Sequence, residues 1–219
     1  MLDALDKSLE NLLKKELEHF SLTGISSSSS NAPTSNTDGG QHLEISFEAP
    51  GSNNGQGSIG IHLFLYDIQE NLELRSNNWS LQRSIPENGN PDNPVMAVRW
   101  RAPARVDCSY LITCWTTPSN AATEHKILGE VLKILLRYPR IPNEYLEGEL
   151  VGLEPPIRAV AMRPSRLQSL GEFWQATGGK PKAAINYTVT IAVPTGQEEK
   201  IELVTQTETN FHLKRSDRG

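Results

Sequence analysis

Val106-Asp107-Cys108-Ser109-Tyr110-Leu111-Ile112-Thr113-Cys114-Trp115 is the plainest strand signal in the chain. It lies inside a strand reading that runs from Val98 to Thr117. Val106, Cys108, Tyr110, Ile112 and Cys114 alternate onto one face, and Leu111, Thr113 and Trp115 onto the other. A helix signal follows at once. Ser119-Asn120 supplies capping oxygens, and Ile127, Leu128, Val131, Leu132, Leu135 and Leu136 fall at i, i+3, i+4, i+7 spacing over Ala121 to Tyr138. Pro139 stops the helix, because the residue before a proline resists the α region.

Toward the C-terminus, Ile141 to Pro155 is an acidic loop and Ile157 to Met162 a short strand. Ser165-Arg166-Leu167-Gln168 has the form of a capping box. The helix it opens carries Leu167, Leu170, Phe173 and Trp174 and ends at Gly178-Gly179. Ala184 to Val193 alternates cleanly, with Ile185, Tyr187, Val189, Ile191 and Val193 inward. A weaker strand, Ile201 to Thr205, precedes a polar tail at 207–219.

Toward the N-terminus, Asp67 to Pro94 shows no sustained period. Ile59 to Tyr66 reads as a doubly covered strand, and His42 to Ala49 as its partner in a hairpin with a Gly/Asn-rich tip. Residues 23–41, with five consecutive serines, form a flexible linker. Before it, residues 1–22 hold an amphipathic helix with Leu2, Leu5, Leu9, Leu12, Leu13, Leu17 and Phe20 on one stripe. That stripe fits equally a helix docked on its own core and one reserved for a neighbouring subunit. The expected fold class is α+β: a mixed or antiparallel sheet with two helices packed on one face, plus the N-terminal helix on its Ser-rich linker. The main domain is expected over 42–206.

Composition bounds the function. The chain has 219 residues, and its charge is 21 − 26 = −5, which argues against a uniformly basic nucleic-acid coat. No apolar run approaches the ~18–20 residues of a membrane span, and the N-terminus lacks a secretory signal pattern. Synthesis in the cytoplasm is the expectation. Cys108 and Cys114 lie ~20 Å apart on one extended strand, too far to pair, and read as buried fillers.

Candidate chemistry is sparse. The five histidines show no i, i+4 pair and no cysteine at metal spacing. His42 and His62 face each other across the expected hairpin but lack a third ligand. Glu144, Glu147 and Glu149 read as solvated loop charges. The expectations are no enzyme activity, no cofactor and no metal. Arg99-Trp100-Arg101 with Arg105 is a basic, aromatic-bearing patch, and such residues favour protein contacts. Gly129, in the middle of a helix, calls for a packing reason such as close approach to the sheet.

Five segments in order carry a family resemblance: Leu63 to Arg75 with its Asn-Leu-x-Leu-Arg step; Val106 to Thr113; His125-Lys126-Ile127-Leu128-Gly129; Phe173-Trp174; and Ala184 to Val189. Together they resemble the tail-terminator, or cap, proteins of phage-tail-like contractile injection systems of the Photorhabdus virulence cassette and antifeeding prophage type. The resemblance implies a structural part of an assembled particle, a six-fold ring of copies that closes the inner tube and sheath and fixes tail length. The implied partners are a second copy of itself, sheath protein and inner tube protein, with no nucleic acid. Membrane contact is left open. Arg75, Trp79, Arg99, Trp100, Arg101 and Arg105 are candidates for contact with tube or a neighbouring copy. Phe211, Lys214 and Arg215 in the tail are candidates for contact with sheath. Ala184–Val193 and Ile201–Thr205 are candidate edges for strand addition. A small adaptor, using the first helix and the long loop to recruit a protein or membrane, is the alternative.

Overall fold

The computed structural model describes residues 1–18, 43–50, 59–83, 95–164, 169–196 and 198–203. It is an α+β protein, with three α-helices and two sheets among the described residues. The chain divides into two compact units interleaved in sequence: unit 1 is 1–74 with 105–192, and unit 2 is 75–104 with 193–219.

Unit 1 is built on a five-stranded sheet of order β1-β2-β5-β7-β6. Its strands are β1 (Leu43–Ser46), β2 (Ile59–Glu70), β5 (Ala104–Thr116), β6 (Arg158–Ala161) and β7 (Ala184–Val193). The β5 run is buried from Asp107 to Thr116 without a break, as a central strand covered on both faces requires. β7 buries Ile185, Tyr187, Val189 and Ile191, the positions its alternation predicts. It lies between β5 and β6, so it offers no free edge for an added strand.

The expected hairpin is overturned. β1 pairs with β2 in parallel, Leu43 opposite Ile59 and Ser46 opposite His62, which makes the sheet mixed. Alternating hydrophobicity fixes which face a side chain takes, but it carries no information on strand direction. His42 lies outside the described residues, so the His42–His62 pairing is not described.

Helix α1 (Leu2–Leu17) and helix α2 (Ala121–Arg137) pack against each other. Tyr110 donates to Asp6 of α1 at 2.8 Å, so α1 lies on the Tyr110 face of the sheet. The first helix is docked on its own core: Leu5, Leu9, Leu12 and Leu13 are fully buried. At ~2 kcal/mol each, their exposure costs on the order of 8 kcal/mol, comparable to the whole stability of a small domain. Polar ties reinforce the docking. Glu16 accepts from the Tyr138 hydroxyl (2.8 Å), the Tyr145 hydroxyl (2.9 Å) and Arg137 (2.8 Å), and these bonds hold its carboxyl below the usual range. Ser8 donates to the Ala4 carbonyl and accepts from the Glu147 amide. Asn120 caps α2 by accepting from the Thr123 amide, as its sequence predicts.

Helix α3 (Leu170–Ala176) supplies Phe173, whose ring meets Phe64 at 5.8 Å. Phe64 pairs with Leu111, on the face opposite Tyr110. The N-cap is Ser169, whose hydroxyl accepts from the Glu172 amide, so the helix starts later than the Ser165–Gln168 box indicates. Residues 165–168 are outside the described residues. The C-terminus closes as expected: the amides of Gly178 and Gly179 return to the carbonyls of Gln175 and Trp174, with Gly178 at φ +66°.

Unit 2 holds a three-stranded antiparallel sheet of order β3-β4-β8, from β3 (Trp79–Arg83), β4 (Val95–Arg101) and β8 (Glu199–Leu203). Two expectations fail here. Val98 to Thr117 is not one strand. It breaks after Arg101, and β4 and β5 belong to different sheets. Pro103 explains the break, because it has no N–H for a ladder. The segment read as aperiodic contains β3, whose Trp79 and Leu81 alternate with Ser80 and Gln82. β8 flanks β4 on one side only, and so has one unpaired side among the described residues.

Candidate functional site

The basic patch separates into two environments. In unit 2, Trp79 stands opposite Arg101 and Leu81 opposite Arg99, so these four share one face of the sheet. The Arg99 guanidinium lies 4.5 Å and the Arg101 guanidinium 5.1 Å from the centre of the Trp79 ring. Glu199 of β8 stands opposite Arg99 and pairs with it at 2.6 Å. The result is a row of Glu199, Arg99, Trp79 and Arg101 with Trp79 and Leu81 exposed beside it. Each stack contributes ~0.5–1 kcal/mol at an exposed site, and its main effect is to hold the guanidinium planes in place. Trp100 pairs with Ser80 and points to the other face. Arg75 is exposed at the start of unit 2.

Arg105 stands apart. It is buried in unit 1, and burial lowers its pKa, with the charge of Arg158 acting the same way and Asp107 opposing. Phe211, Lys214 and Arg215 lie outside the described residues.

Unit 1 also holds a polar knot that no sequence motif marks. Asp107 is almost fully buried and accepts from Thr190 (2.7 Å), Asn71 (3.1 Å to each oxygen) and Arg163 (3.1 Å). Burial pushes its pKa up, but hydrogen bonds from Thr190, Asn71 and Arg163 outweigh that and leave it lowered. Asn71 also bonds through its amide to the Arg105 carbonyl and accepts from the Leu74 amide, which fixes a 3-10 turn at Leu72–Leu74. The available signal was a carboxylate inside an apolar strand, since a buried charge demands partners.

Several titratable groups of unit 1 are buried or tied into its structure. Burial pushes both cysteine thiols up to about 12, and both are free and buried. Glu147 accepts from Asn11 at 2.8 Å and Glu144 faces Lys15 at 3.5 Å, so two of the acidic-loop carboxylates tie the loop to α1. Among the described residues, no three His, Cys, Asp or Glu side chains are grouped to hold a metal, and no helix is long and apolar enough to cross a membrane. A cleft of about 420 Å³ opens at the start of α2, between Leu128, His125 and Lys180. Its buried carboxylate, Glu124, accepts from the Thr116 amide and hydroxyl, Ser119 and Lys182.

Comparison with known proteins gives a consistent picture. No curated protein matches the chain. Five solved chains do. One is the sheath/tube terminator of an extracellular contractile injection system, PVC, in its extended state, with 23% identity, a TM-score of 0.60, and coverage of 99% of this chain and 65% of that one. Another is the tube-terminating cap of the anti-feeding prophage, with 26% identity, a TM-score of 0.53, and coverage of 77% of this chain and 54% of that one. This chain thus spans between half and two thirds of the length of these solved proteins. Residues 4–207 match the family model described as the Pvc16 N-terminal domain, and the chain belongs to that family.

Proposed function

We propose that this chain is a structural subunit of the cap that closes a contractile tube, arranged as a ring of its own copies on the last layer of inner tube and sheath. The observation that carries this reading is the family match over residues 4–207, in a fold shared with a sheath/tube terminator and a tube-terminating cap. A closed ring of heterologous contacts removes free ends, so it stops polymerisation and sets tail length. Six copies is the expected ring. The chain works by its surfaces and runs no reaction. It is made in the cytoplasm and becomes part of the assembled particle.

Within this reading, Arg75 and the Arg99–Trp79–Arg101 row contact the tube or the next copy. Residues 198–218, with Phe211, Lys214 and Arg215, reach toward sheath. Charge reversal at Arg99 and Arg101 then weakens co-sedimentation with tube in a salt-sensitive way. The adaptor alternative rests on the first helix and the long loop; Leu5, Leu9, Leu12, Leu13 and Leu17 of that helix are buried in unit 1, which counts against the helix as a recruiting surface.

The test is location. Gold labelling of an epitope-tagged chain is expected to mark one end of each particle. Label scattered along the tube, or none on particles from cells expressing the tagged chain, overturns the reading.

A further inference from the structure

Two features of unit 1 have no purpose inside the chain. The first is Gly129. It sits in mid-helix, where glycine costs about 1 kcal/mol against alanine. The expected reason was close approach to the sheet, but a Cβ at this position meets nothing within 4 Å. The backbone there is open, beside half-buried Leu128 and Leu132 and exposed Leu136, and the 420 Å³ cleft begins at Leu128. His125 and Lys180 line the cleft, together with Glu124 and Lys182, which pair with each other at 3.0 Å.

The second is the turn at Leu72–Leu74. Asp107 and Asn71 hold it rigidly, yet its leucines face water: Leu72 is 67% exposed, Leu74 39% and the nearby Ile68 49%. Holding an apolar turn outward is unfavourable unless something covers it. Exposed Glu70 precedes it, exposed Glu73 lies within it, and exposed Arg75 follows it. The turn offers a held apolar knob that carries the exposed carboxylate of Glu73, and the cleft offers a hollow of mixed lining that carries the exposed ammonium of Lys180, its Glu124 and Lys182 being already paired with each other.

The geometry points to a heterologous contact in which the Leu72–Leu74 turn of one copy enters the cleft beside Gly129 of a second copy, with Glu73 meeting Lys180. When the contact is not exchanged reciprocally between two copies, a knob and a hollow on different parts of one surface generate a ring or a filament, whereas a reciprocal exchange would stop at a pair. This contact rests on the ring reading above and names the surfaces that close it.

The test is a cysteine pair, Glu73→Cys with Lys180→Cys, in chains assembled into particles. Both native thiols are buried, and because Cys114 lines the cleft, each single-cysteine variant is the control for its reaction. Oxidation is expected to give a ladder of covalent multimers when both changes are present, and none with either alone. No ladder from particles that still carry the chain at their ends overturns this contact and leaves the cap reading standing. Particles that lack the wild-type chain overturn both. A second variant, Gly129→Leu, separates contact from folding. Its melting temperature should not fall, because the added side chain has open space, while its incorporation into particles should drop at least tenfold. Normal incorporation counts against the contact.

Discussion

Unit 1 and unit 2 divide the work of this chain differently. Unit 1 buries three faces of leucine, isoleucine and valine, and satisfies a buried aspartate with side chains from three segments. In unit 2, Ala97 is the only fully buried apolar residue among those whose side chains are described, and Trp79, Leu81 and Arg101 are displayed. Charge follows the same division. Unit 1 has 13 basic and 19 acidic residues (13 − 19 = −6), and unit 2 has 8 and 7 (8 − 7 = +1). The contrast teaches that the apolar core lies in unit 1, whereas unit 2 is a sheet that displays a row of aromatic and charged side chains, the row proposed above for contact.

The sharpest way to break that contrast is to attack unit 1 where it has no slack. A Cβ on Gly60 would overlap the Trp115 ring and sit 2.6 Å from the Glu44 carbonyl oxygen. Gly60→Ala should therefore cost at least ~3 kcal/mol by urea denaturation, the upper end of overpacking penalties. Wild-type stability in this variant would show that the β1–β2 register is wrong.

Asp107→Ala should follow, at roughly 3 kcal/mol, because Thr190 and Asn71 lose an acceptor that water does not readily replace. Acid titration sharpens the same point in two windows. His62 is buried against Trp115, its centroid 4.0 Å away, and burial drives its pKa from 6.5 down to about 4. The unfolded chain binds the proton first, so stability should fall as pH drops from about 6.5 to about 4, and His62→Phe should flatten that slope. Asp107 acts in the other sense of charge with the same direction of loss. Its folded pKa lies below 3.8, so its contribution is present above that value and disappears only as pH falls further. A wild-type curve flat from pH 6.5 to 4 would exclude the neutral, buried histidine.

Smaller effects test the surfaces. Gly129→Ala should stabilise by about 1 kcal/mol, read as a rise in melting temperature. Trp79→Ala should change global stability by ~1 kcal/mol or less, since it removes two exposed cation–π stacks, while weakening association with tube or neighbour. A large stability loss on Trp79→Ala would mean that unit 2 carries core, and the division drawn here would fail.

The same contrast governs what sequence reveals. Unit 1 was legible where burial is one-sided and regular: the leucine stripe of α1, the Asn120 cap and stripe of α2, and the alternation of β5 and β7. Strand direction was not, because alternation in Leu43–Ser46 serves a parallel partner as well as a hairpin. Unit 2 was legible in part: β4 and β8 overlap expected strands, but the alternation of Trp79–Gln82 in β3 is too short and too exposed to stand out, and the break at Pro103 hid inside a long β-rich segment. The candidate contacts were half legible. Arginine and tryptophan in β4 stood out, but their stacking on Trp79 and pairing with Glu199 depend on register across three strands. Arg105, next to them in sequence, is buried in the other unit.

Tail length in particles assembled without this chain is the most direct measurement. Negative-stain images should show tubes that are overlong, of broad length distribution, or bare of sheath at the free end. Particles of unchanged, uniform length with intact sheath would contradict the account.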